Sequence, residues 1–143
     1  MKEINVSKIT ETIARLSQEA NFDLPEDVLE ALKKARSKEE APRAQKVLDM
    51  IVRNSEIAHE KQIALCQDTG TTVLFLELGQ DVHIVGGDLY NALAEGVRLG
   101  YKEGFLRNSI VNQPFSARIN TGDNTPPIVH TEIVPGEQLK LTI

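Results

Sequence analysis

Apolar positions recur at helical spacing through the first sixty residues and then give way to short uninterrupted runs. Between Ser7 and Ala20, Ile9, Ile13, Leu16 and Ala20 fall on one face, which predicts an amphipathic helix with Ser7 as its N-cap. The stretch 21–25 breaks the pattern. Pro25 suits the first position of a second helix, which would carry Val28, Leu29, Leu32 and Ala35 inward. Ser37-Lys38-Glu39-Glu40 has the form of a capping box opening a third helix, with Pro42 near its start and a stripe of Ala44, Val47, Leu48, Ile51, Ile57 and Ala58.

From Gln62 onward the periodicity changes. Val73 to Leu78 is mostly apolar and bounded by turn residues on both sides, which predicts a buried strand. Gly86-Gly87-Asp88 leads into a fourth helix over 89–103, with Leu93, Ala94, Val97 and Tyr101 at helical spacing, Asp88 as its cap and Gly104 as its end. Gly96 and Gly100 are poor helix formers in the middle of that segment. Residues 112–114 and 121–127 read as loops. Ile128–Val134 and Gln138–Ile143 read as strands joined at Pro135-Gly136-Glu137 by a hairpin-like turn. The expected fold is α+β: three N-terminal helices packed on a small mixed or antiparallel sheet, with the 89–103 helix against it. One domain is expected over 1–143, helical over 1–61 and α+β over 62–143. The apolar strand end Leu139-Lys140-Leu141-Thr142-Ile143 needs a sheet to join, so the chain is expected to be a fragment or one piece of a larger protein.

Composition narrows the function classes. At 143 residues, 41% hydrophobic and 26% charged, the chain can build one modest core. A net charge of −5 argues against a nucleic-acid-binding face. No apolar run approaches the roughly 20 residues that span a bilayer, so no membrane partner is expected. The N-terminus has no signal-peptide core, and a single cysteine forms no internal disulfide, so a cytoplasmic location is expected.

Candidate chemistry concentrates in Leu65-Cys66-Gln67-Asp68-Thr69-Gly70-Thr71, which sets a thiol, an amide, a carboxylate and hydroxyls on one turn between a helix and a strand. Cys66 is either a small packed hydrophobe, a thiolate nucleophile or a metal ligand. A nucleophile would need a base, and His59, His83 and His130 are the candidates. Asp68 and Gln67 either cap a loop or bind a hydroxyl-bearing substrate. Arg107 lies just past Gly104 in the half of the chain poor in cations. It is either a solvated surface group or a bidentate carboxylate clamp. His130, within the apolar run 128–134, is either structural or an acid, base or anion donor.

Three blocks taken together carry a resemblance: Leu65 to Thr71, then Leu106-Arg107-Asn108-Ser109-Ile110-Val111, then Asn124-Thr125-Pro126-Pro127-Ile128-Val129-His130. In that order the chain resembles the class I (iron–sulfur) fumarate hydratase family, which includes the alpha subunit of L(+)-tartrate dehydratase. The likeness covers most of the chain. It implies a hydro-lyase that reversibly removes water from a hydroxy-dicarboxylate, malate to fumarate or tartrate to oxaloacetate. It implies a 4Fe–4S cluster held by three cysteines, of which Cys66 matches the first; the other two lie beyond the matched region. It also implies that Gln67, Asp68 and Arg107 contact substrate and that His130 sits near the site. The expected partners are therefore a C-terminal segment, a beta subunit or both, in a homo- or hetero-oligomer, and the chain alone is expected to be inactive. Two rival readings stay open: a non-catalytic assembly module with a structural cysteine, and a thiol enzyme using Cys66 and His130.

Overall fold

A computed structural model describes residues 2–143. The order of elements is β1 (Lys2–Asn5), α1 (Val6–Phe22), α2 (Glu26–Lys38), α3 (Pro42–Lys61), β2 (Val73–Gly79), β3 (Val82–Val85), α4 (Leu89–Glu103), β4 (Val111–Asn112), β5 (Ile119–Asn120), β6 (Ile128–Val134) and β7 (Leu139–Thr142). The architecture is α+β, as the hydrophobic pattern predicts.

The core forms where α1 and α4 cross over one face of a three-stranded sheet. Ile9, Ile13 and Phe22 from α1 meet Leu93, Val97 and Tyr101 from α4 and Leu74 and Leu76 from β2, with Leu106 closing one end. β2 alternates as a half-covered strand must: Leu74 and Leu76 are buried, while Phe75 between them is exposed on the opposite face. The glycines that weaken the sequence case for α4 are explained by this crossing. A Cβ at Gly96 would lie 2.6 Å from Ile13 Cβ, and one at Gly100 would lie 2.7 Å from the Ala14 carbonyl oxygen. Only glycine lets the two backbones approach this closely.

The sheet has the order β6-β2-β7 and is mixed. β6 runs parallel to β2, pairing Phe75 with His130, and β7 runs antiparallel to it, pairing Glu77 with Lys140. The expected hairpin between 128–134 and 138–143 is therefore corrected: the two strands flank β2 and do not pair with each other. The intervening segment wraps the end of β2 instead. The Gln80 and Asp81 amides donate to the Val134 and Gly136 carbonyls, and the Gly79 amide donates to that of Gln138. These backbone groups thus find their partners at the end of the central strand and not in a local turn.

Other expectations also need correction. Asn5, not Ser7, caps α1, its side chain accepting from the Ser7 amide at 2.9 Å. The Ser37–Glu40 segment is no capping box: Ser37 and Lys38 end α2, and α3 begins at Pro42. The Glu39 carboxylate instead accepts from the Glu40 and Ala41 amides across the connection. α2 packs on α3 and buries no residue, and Val28 and Ala35 are exposed, so these two helices stand off the sheet. β1 and β3, which pair in parallel, and the β4–β5 hairpin are too short to register as periodic pattern.

Candidate functional site

The first motif block begins where two helices fix the chain. Gln62 ends α3 in the left-handed conformation. Leu65 is then held on both sides, its amide donating to the Asn21 carbonyl at 2.9 Å and its carbonyl accepting from Asn54 Nδ2 at 2.9 Å. Cys66 follows directly. Its sulfur accepts the Asp68 amide at 3.3 Å, which closes a tight bend. Cys66, Gln67 and Asp68 are all exposed. The reading of Cys66 as a buried small hydrophobe is corrected accordingly.

The second block is anchored by Leu106, which is buried and whose amide donates to the Tyr101 carbonyl at 2.9 Å. The next residue, Arg107, is thereby turned out to solvent. Among the described residues its guanidinium has no ion-pair partner, whereas Arg98 pairs with Glu95 and Lys140 pairs with Glu77. An unpaired guanidinium keeps its full fork of donors for a planar anion.

Hydrogen bonds join the blocks. Thr69 Oγ1 donates to the Arg107 carbonyl at 2.5 Å and lies 2.9 Å from Ser109 Oγ. Asn124, from the third block, is fully buried. Its Oδ1 accepts from the Ser109 amide at 2.7 Å and the Ile110 amide at 3.1 Å, and its Nδ2 donates to the Gly70 carbonyl at 3.0 Å. The Ile128 amide then donates to the Thr72 carbonyl at 2.9 Å, where β6 meets β2. Asn108 Nδ2 donates to the Gly122 carbonyl at 2.7 Å, and Asn120 Nδ2 donates to the Asn108 carbonyl at 2.9 Å, bracing the second block from outside.

The fold thus brings the Cys66–Gly70 turn against the loop of Arg107. It leaves His130 apart, with its ring stacked on Phe75 at 5.1 Å between centroids, on the exposed face of the sheet. His59 is bound to Asp23 at 2.6 Å, and His83 lies on β3. Among the described residues no hydrogen bond or ion pair joins any of the three histidines to Cys66: His59 is held by Asp23 and His130 by Phe75. Among the described residues no group of three or more His, Cys, Asp or Glu is placed to hold a metal ion. A cubane cluster therefore does not fit the donors of this chain alone, which offers one thiol and not a ligand set. Pattern reading assigned no role to Thr69, Ser109 or Asn124. Their only signal was membership of the three blocks, because a buried asparagine inside a turn-like segment looks the same in sequence as an exposed one.

The family model described as fumarate hydratase (Fumerase) matches residues 10–143. The putative L(+)-tartrate dehydratase subunit alpha of Methanocaldococcus jannaschii is 35% identical over 123 residues, covering 83% of this chain and 43% of that protein. The aerobic class I fumarate hydratase of Escherichia coli K12 is 41% identical over 91 residues, covering 62% of this chain and 16% of that one. The L(+)-tartrate dehydratase subunit alpha of Escherichia coli UTI89 is 28% identical over 137 residues, covering 94% and 44%. The chain spans less than half the length of these relatives. Among the described residues no helix is long and apolar enough to cross a membrane. With all three motif blocks inside the matched span, the chain belongs to the fumarate hydratase (Fumerase) family.

Proposed function

We propose that this chain forms part of a hydro-lyase that reversibly removes water from a hydroxy-dicarboxylate, malate or tartrate. The observation that supports this reading best is the direct bonding of the Cys66–Gly70 turn to the Arg107 loop, with the reactive side chains of both left exposed. Arg107 binds one carboxylate of the substrate through its planar fork. Gln67 and Asp68 orient the diacid and its hydroxyl. His130 is a more distant substrate contact, since it lies on the sheet beyond the junction of Thr72 and Ile128.

Cys66 would hold one corner of a 4Fe–4S cluster completed by ligands from elsewhere, and that group would supply Lewis-acid chemistry toward the departing hydroxyl. The remaining ligands and the base would come from segments outside this sequence or from a beta subunit; the tartrate dehydratase relatives are themselves named as alpha subunits. The chain on its own is then inactive. The exposure of Cys66 disfavours the rival reading of an assembly module with a packed cysteine.

The test joins the chain to the segments its longer relatives carry and reconstitutes the assembly with iron and sulfide. Cys66→Ala is expected to abolish fumarate hydration and tartrate dehydration. Hydration that persists in that variant would overturn the ligand assignment.

A further inference from the structure

We infer that Asn124 is the positioning residue that holds the Cys66 turn in register with the Arg107 loop. Its side chain is fully buried and bridges three backbone groups from two separate loops: the Gly70 carbonyl on one side, the Ser109 and Ile110 amides on the other. One carboxamide can do this because it carries an acceptor and a donor at fixed separation. A carboxylate at neutral pH only accepts, and a hydroxyl carries its donor and acceptor on one atom.

The other link between the loops is the Thr69 hydroxyl, whose bond to the Arg107 carbonyl is exposed and which also lies 2.9 Å from Ser109 Oγ. The Asn124 side chain is fully buried and makes three bonds that are less open to water than the exposed Thr69–Arg107 bond, so the Asn124 tie is the harder of the two to replace. Asn124 also holds a left-handed backbone at φ +59, which asparagine tolerates better than most residues. Side-chain function and backbone conformation therefore select the same residue. The Arg107 carbonyl and the Ser109 amide lie two positions apart on one loop, and Thr69 and Gly70 are adjacent on the other. Fixing these pairs sets where Cys66 and Arg107 stand relative to each other. The catalytic meaning of this tie rests on the hydro-lyase reading above, but its mechanical effect does not.

The experiment uses backbone amide order parameters of the 143-residue chain by nitrogen-15 relaxation. Asn124→Asp keeps the acceptor and the shape but sets an oxygen against the Gly70 carbonyl. Asn124→Gly keeps the left-handed backbone free of strain and removes the side chain. In both variants the amides from Gln67 to Gly70 are expected to fall from the rigid value of about 0.85 to below about 0.6. Ser109 and Ile110 should stay rigid in Asn124→Asp and loosen in Asn124→Gly, while Leu74 and Leu76 in the core stay rigid in both. The assignment is overturned if the turn remains rigid in both variants. It is also overturned if Leu74 and Leu76 loosen with the turn, since the residue would then serve the whole fold, or if Thr69→Val alone loosens the turn. A turn that loosens while the assembled Cys66→Ala enzyme keeps its activity would retain the tie and refute the hydro-lyase reading instead.

Discussion

Replacing Gly96 by alanine sets two effects of known sign against each other at the α1–α4 crossing. Alanine is a better helix former than glycine by about 1 kcal/mol in a helix interior, so propensity alone predicts stabilisation. The new methyl carbon would lie 2.6 Å from Ile13 Cβ and 2.8 Å from both Ile13 Cγ2 and the Thr10 carbonyl oxygen. The oxygen belongs to backbone and cannot swing aside, so the helices must separate. Overpacking of this kind costs about 1–3 kcal/mol. Separation also stretches the bond from Thr10 Oγ1 to the Ala92 carbonyl, now 3.0 Å, whose loss costs about 1 kcal/mol more. The balance is a net destabilisation of about 1–3 kcal/mol, read as a lower urea midpoint at unchanged slope. Ala35→Gly on the exposed face of α2 calibrates propensity in the same chain and should lose about 1 kcal/mol. If Gly96→Ala were instead more stable by the propensity increment, the close crossing of α1 and α4 would be wrong.

Two further outcomes follow from local geometry. Asp88→Ala removes the side chain that accepts the Asn91 amide at 2.8 Å at the start of α4, and thermal unfolding should report a loss of about 1 kcal/mol. The hydrogen bond from Arg36 holds the Asp49 carboxyl below its ordinary value of 3.8. The folded state therefore favours the charged form. The pair's contribution is present above pH 3.8 and disappears as pH falls through the lower, folded-state value. Both side chains are solvent-accessible, so the effect is small. The difference in melting temperature between wild type and Asp49→Asn should shrink as pH drops below 3.8, and a difference that stays constant to pH 2 would exclude an ion pair.

The amphipathic helices and the apolar strand were legible because each depends on a period that sequence records directly. α1, α4 and β2 sit where their stripes place them, and Asp88 caps α4 as its position predicts. What failed was pairing. The segment from Ile128 to Ile143 has every local mark of a hairpin, yet β2 inserts between its strands. Local turn chemistry cannot report that a third strand, fifty residues earlier, offers both of its edges. The inward face assigned to α2 failed for a related reason: periodicity shows that a helix has an apolar side but not whether that side meets the core or another surface helix, as it meets α3 here.

The candidate site was read in a different way, through residue identity and not through period. Its construction shows why composition did not single out the residues that hold its loops together. The two loops offer to the tie only groups that any residue or a common hydroxyl supplies: the Thr69 hydroxyl bonds the Arg107 carbonyl directly, and the Gly70 carbonyl and Ser109 amide are bridged by the Asn124 carboxamide. The distinctive side chains of Cys66, Gln67, Asp68 and Arg107 are left out of that bonding and exposed. Arg107 serves both ends at once, its backbone inside the tie and its guanidinium outside it. A cation held by its own carbonyl need not use its charge to stay in place. That charge remains available for an anion, and this is the condition a carboxylate clamp must meet.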